Sequence, residues 1–130
     1  MPDQPLVLLV EHKGGQHQHA ELLSRAGFRV ASVATEKFDI VGLLEQGPAV
    51  VAAELDGSGS ATTLNLARRF RQDPRARPIP FIIYGHHLRS EDIEDAARAG
   101  ALWLQLEPTD GARLVAAVRG LIAASRKDGP

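Results

Sequence analysis

The sequence predicts an α/β protein, a three-layer doubly wound parallel sheet of five strands and five helices with strand order 2-1-3-4-5. Apolar runs of strand length alternate with segments whose apolar residues recur at helical spacing. The runs are nearly continuous in Val, Ile, Leu and Ala, as in strands buried on both faces. Parallel neighbours need crossover connections, and the intervening segments are helices of the right length to supply them.

Leu6 to Val10 is the first such run, and Gly14-Gly15 breaks it. His19, Leu22, Leu23 and Ala26 then fall at i, i+3, i+4 and i+7, a helical stripe that Gly27 ends. "FRVASVA" reads as the second strand, followed by a helix bearing Phe38, Val41 and Leu44 and closed by Gly47-Pro48. "AVVAA" is the third strand. Its helix carries Leu64, Ala67 and Phe70 and stops before Asp73-Pro74, because a residue preceding proline disfavours the α region. "PFIIY" is the fourth strand, and Ser90 with Glu91 and Asp92 suits the start of the next helix, which Gly100 ends. "ALWLQL" is the fifth strand, and Leu114, Val115, Val118, Leu121 and Ile122 form the apolar stripe of the last helix.

The chain has 130 residues, enough for one domain with a substantial core. A formal net charge of -1 argues against a broad phosphate-binding surface, so no nucleic acid is expected as a partner. The absence of cysteine excludes disulfides, thiolate catalysis and Cys-ligated zinc. "PLVLLV" is too short to span a membrane and lacks the flanks of a signal peptide, so the expected setting is cytoplasmic.

In such a sheet, ligands gather beyond the carboxyl ends of the strands near the switch point between the first and third. Those ends are Glu11-His12, Glu54-Leu55-Asp56, Gly85-His86 and Glu107-Pro108. Four stretches, "VLLVEH", "GPAVVAAELD", "RQDPRARPIPFII" and "AGALWLQLEP", together resemble the receiver domain of bacterial two-component response regulators, the CheY-like type. The resemblance covers nearly the whole chain. It implies a flavodoxin-like fold, with a receiver-like domain at 1–125 and a tail or linker start at 126–130.

The family's chemistry uses a strand-end Asp as phosphoacceptor, two acids that hold Mg²⁺, a Thr or Ser after the fourth strand and a Lys before proline. Here the acceptor position falls on Glu54, whose extra methylene displaces the reactive oxygen. The hydroxyl position falls on Gly85, the Lys position on Glu107, and the acidic pair becomes Glu11 and His12. The resemblance with these departures implies a pseudo-receiver: not phosphorylated in the usual way, not an enzyme, needing no cofactor, and acting as a protein-protein interaction module. One alternative is an atypical receiver that accepts phosphate on Asp56 or Glu54 with Mg²⁺. Another is a metal or small-ligand sensor at the strand ends.

Glu11, His12, Glu54, Asp56 and Glu107 bring oxygens and an imidazole to one sheet edge, but no metal-ligand spacing is compact enough to predict a site; Glu11, Glu54 and Asp56 are weak candidates, and solvated acids are the favoured reading. His12 is placed to pair with Glu54, His19 to pack at the apolar edge, His17 to face solvent, and His86-His87 to supply loop polarity. In the family, the face of the fourth helix, fifth strand and fifth helix meets partners. Here it carries Arg98, Trp103, Leu104, Arg113 and Arg119, so unidentified signalling proteins are the expected partners, with a weak homodimer as another occupant. Trp103 fits a binding hot spot and a sheet-edge filler equally well.

Overall fold

The computed structural model describes residues 4–11, 18–34, 39–54, 60–85, 90–105 and 111–127. Strands and helices alternate along the chain. The strands are β1 (Leu6–Glu11), β2 (Arg29–Ala34), β3 (Val50–Glu54), β4 (Phe81–Gly85) and β5 (Leu102–Gln105). The helices are α1 (Gln18–Arg25), α2 (Ile40–Gln46), α3 (Ser60–Gln72), α4 (Ser90–Arg98) and α5 (Gly111–Lys127). All strand pairs are parallel and the sheet order is β2-β1-β3-β4-β5, as the alternation predicts.

The sheet separates two cores. Leu8, Val10, Val51, Ala53, Phe81 and Ile83 face α2, α3 and α4, where Phe81 meets Phe70 edge-on with ring centroids 5.1 Å apart. Val7, Leu9, Val50, Ala52, Ile82 and Tyr84 face α1 and α5, packing on Leu23, Leu114, Val118 and Ile122. Side chains alternate between faces along a strand, so each central strand supplies both cores and reads as a continuous apolar run.

Helix ends follow local chemistry. Asp39 caps α2 by accepting from the N–H groups of Val41 and Gly42, both at 3.3 Å. Gly47 closes the same helix at φ 66°, ψ 50°, a left-handed conformation natural to glycine. Pro48 then blocks continuation and directs the chain into β3.

Three local expectations need correction. In α2 the buried residues are Ile40 and Leu43, with Leu44 packed beside them as expected, whereas Val41 is exposed because the stripe that meets the sheet runs through 40, 43 and 44. In α1, Leu23 is buried and Leu22 exposed. The last helix runs through Lys127, into the segment assigned to the tail, since Arg126 and Lys127 are good helix formers. Phe38 and residues 128–130 lie outside the described residues.

Candidate functional site

The carboxyl ends of β1, β3 and β4 lie at one level of the sheet. Val10 is opposite Ala53 and Glu54 is opposite Tyr84, which sets Glu11, Glu54 and Tyr84 side by side on consecutive strands. All three share the parity of Val7, Val50 and Ile82, so they belong to the face covered by α1 and α5. Gly85 ends β4 with no side chain to offer.

Glu11 is only 5% exposed. Tyr84, at 1%, donates its hydroxyl to Glu11 Oε2 at 3.1 Å. His19 of α1, also buried, packs edge-on against the Tyr84 ring, with centroids 5.2 Å apart and planes at 72°. Its Nδ1 stands 3.9 Å from Glu11 Oε2, beyond hydrogen-bond reach. Neither His19 Nδ1 nor Glu11 Oε1 has a hydrogen-bond partner among the described residues. Burial pushes the Tyr84 hydroxyl well above its ordinary range, and the neighbouring Glu11 and Glu54 carboxylates push it further. Tyr84 therefore stays protonated and can only stabilise an acceptor beside it.

The reading of the strand-end acids as solvated is wrong for Glu11. β1 extends one residue further than its apolar run, and that last residue turns inward, where the Tyr84 hydroxyl offsets part of the desolvation of its carboxylate. Glu54 is half-buried, and its backbone carbonyl accepts from Thr63 Oγ1 at 3.0 Å, tying the end of β3 to α3. The prediction that His19 packs at an apolar edge is met. His12, His17, Asp56, His86, His87 and Glu107 lie outside the described residues, and with them the pairing of His12 with Glu54.

The described residues do not fit the magnesium site that the resemblance implies. That ion needs exposed carboxylate oxygens together with its own waters, whereas Glu11 is buried with one oxygen held by Tyr84. Among the described residues, no group of three or more His, Asp or Glu side chains could hold a metal.

Along the β5 edge, Trp103 is 42% exposed and Leu102 is exposed beside it, so Trp103 is a surface group rather than a filler. Leu104 turns inward toward the core under α5. Arg98 is exposed, with a loose contact to Asp95 at 3.7 Å, and Arg113 is exposed on the first turn of α5. Arg119 does not belong with this group. Its guanidinium donates to the carbonyl of Ala26 at 3.2 Å, which draws it toward the end of α1. The sequence reading missed Tyr84 altogether. The available signal was a tyrosine inside a buried strand, since a buried phenol hydroxyl requires a partner.

No family model matches the chain, and no curated protein matches it. Solved structures do. A response regulator receiver domain protein (CheY-like) from Methanospirillum hungatei superposes with a TM-score of 0.77 at 14% identity, covering 98% of this chain and 100% of that one. The chemotaxis protein CheY4 of Vibrio cholerae gives 0.76 at 15% identity over 92% of this chain and 99% of its own. A putative response regulator from Chloroflexus aurantiacus gives 0.70 at 22% identity over 92% of this chain and 99% of its own. At these identities the likeness shows the fold alone, the five-stranded parallel α/β fold that these receiver domains share.

Proposed function

We propose that the chain is a pseudo-receiver: a receiver-fold domain in two-component signalling that recruits other proteins without the family's phosphoryl chemistry and without a cofactor. The inward turn of Glu11 carries this reading. A carboxylate buried beneath α1 and hydrogen-bonded to Tyr84 is spent on the fold instead of being presented to a metal. Glycine at the end of β4 adds to it, since Gly85 has no hydroxyl with which to bind a phosphoryl oxygen. Recruitment would use the β5 edge and its flanking helices. Trp103 and Leu102 expose apolar area there, Arg98 and Arg113 add charge, and Trp and Arg are the residue types that dominate binding hot spots.

A backbone amide NMR titration with Mg²⁺ and then beryllofluoride tests the proposal. The expected result is no saturable shift at Glu11 or Glu54 and none at Trp103. Saturable shifts at the strand ends that spread to Trp103 would refute it and favour an atypical receiver that accepts phosphate on Glu54 or Asp56.

A further inference from the structure

We propose that the opposite edge of the sheet, at the amino ends of the strands, is a docking cleft for an acidic protein segment with an apolar anchor residue. A cleft of about 400 Å³ opens there, walled by Leu6, Pro48, Ile79, Pro80 and Ile122. Its one charged lining side chain is Arg29, whose Nε donates to the carbonyl of Gln4 at 3.1 Å. These walls are aliphatic side chains from the first residue of β1, from the connections that lead into β3 and β4, and from the second half of α5. Such a cleft accepts a Leu- or Phe-sized group without rearrangement.

The surrounding charge selects the rest of the partner. Between Arg68 and Arg77 the sequence has five arginines and a single acid, Asp73, within a chain of net charge -1. Arg69 and Arg71 stand on the last turn of α3, and Arg75 and Arg77 lie on the connection that leads directly into the Pro78–Pro80 wall. Favourable interaction with a helix carboxyl end accounts for Arg69 and Arg71. Arg77 serves the same helix end and Arg75 is paired with Asp73, so Arg29, inside the cleft, is the cation that neither contact accounts for. Asp73 is engaged by Arg75, which donates to it at 2.9 to 3.2 Å from its backbone and side chain. Arg77 donates through Nε to the carbonyl of Arg71 at 3.0 Å, which orients the guanidinium without neutralising it. Exposed Arg29 in the cleft, with exposed Arg77 next to the Pro78 wall, is complementary to a segment whose acids flank an apolar side chain. The cleft lining includes no aromatic ring, so it offers no stacking platform of the kind single-stranded nucleic acids use.

This surface lies at the far end of the strands from Glu11 and Glu54, and its use does not depend on the fate of the phosphoryl chemistry. The test is an amide NMR and fluorescence anisotropy titration with a synthetic peptide of Asp and Glu residues around a central Leu-Leu pair. Two control peptides replace the acids by their amides or the Leu pair by Ser-Ser, and a single-stranded oligonucleotide of equal charge is the third control. Expected are saturable shifts at Leu6, Arg29, Ala49 and Ile79 with the acidic Leu peptide and much weaker binding of all three controls. Arg29→Gln should weaken the peptide roughly tenfold, the loss of about one charge-assisted hydrogen bond. Arg77→Gln should weaken it in the same direction, so the result does not rest on one variant. Equal binding of the Ser-Ser peptide or the oligonucleotide would reduce the surface to general attraction of polyanions and overturn the proposal. So would an absence of shifts at the cleft.

Discussion

Replacing Tyr84 by Phe removes one oxygen atom from a site that closes around it. Glu11 stays 95% buried yet loses the hydroxyl that donates to its Oε2, and His19 Nδ1, at 3.9 Å, is too distant to take over without movement. A hydrogen bond to a charged group contributes about 1.5–3 kcal/mol, and the apolar gain of Phe over Tyr recovers a fraction of that. The expected loss is about 2 kcal/mol at neutral pH, or roughly 7 °C in Tm for a domain of this size. In a Glu11→Gln background the same change should cost only about 1 kcal/mol, because the bond lost there is between neutral groups. Urea denaturation measures both, and a Tyr84→Phe protein within about 0.5 kcal/mol of the parent would refute the arrangement.

Alkaline titration examines the same contact independently. Tyr84 is the chain's single tyrosine, so the phenolate absorbance band reports on it alone. Its folded pKa is raised, so its contribution to stability is fully present below the unfolded value near 10. Above that pH the unfolded chain loses the proton while the folded chain keeps it, and stability falls as pH rises toward the folded pKa. Phenolate should therefore appear together with unfolding, and a folded protein that titrates near pH 10 would contradict the burial.

Other substitutions probe the frame and the proposed surface. Asp39→Ala removes the cap that receives Val41 and Gly42 and should cost about 1 kcal/mol in denaturant unfolding. Gly100→Ala places a methyl at φ 76°, and 2.8 Å from the Arg71 guanidinium carbon, so a loss of about 1–2 kcal/mol is expected even after the arginine moves aside. Trp103→Ser should leave stability within about 1 kcal/mol, because the ring is substantially exposed, while weakening capture of any partner that uses the β5 edge. Arg75→Gln should raise the carboxyl titration midpoint of Asp73, which the Arg75 hydrogen bonds hold below its usual range. Carbon-detected NMR reads that shift directly.

The sheet was legible because its signals are local and repeated. Every central strand carries apolar residues on both faces, α1 to α4 each stop within two residues of a Gly or Pro, and parallel order follows from alternation. The interior of the site was not legible for the opposite reason. Glu11 and Tyr84 are 73 residues apart, and the register of β1 on β3 and of β3 on β4 makes them neighbours, while His19 arrives on α1 from the next turn of the chain. Parity along each strand would have put Glu11 and Tyr84 on one face, but not within bonding distance. Arg119 illustrates the limit of reading a helix face from sequence, since its long side chain reaches across to the Ala26 carbonyl just past the end of α1. The cleft at the far edge was hidden because it is assembled from connections. Pro5, Pro48 and Pro80 were visible as strand starts, and their convergence on one hollow was not.

The brevity of β5 has a consequence for how anything can attach there. An outer strand leaves a row of backbone donors and acceptors open, and a long flat one invites another chain to continue the sheet, in functional strand addition or in aggregation. Over the described residues Leu102–Gln105 the ladder is four residues long, a short stretch of backbone to reward an incoming strand by itself. Selectivity at this border must then come from the side chains that stand out of the pleat, with Trp103 foremost. The domain can display an apolar handle without becoming a template for its own polymerisation.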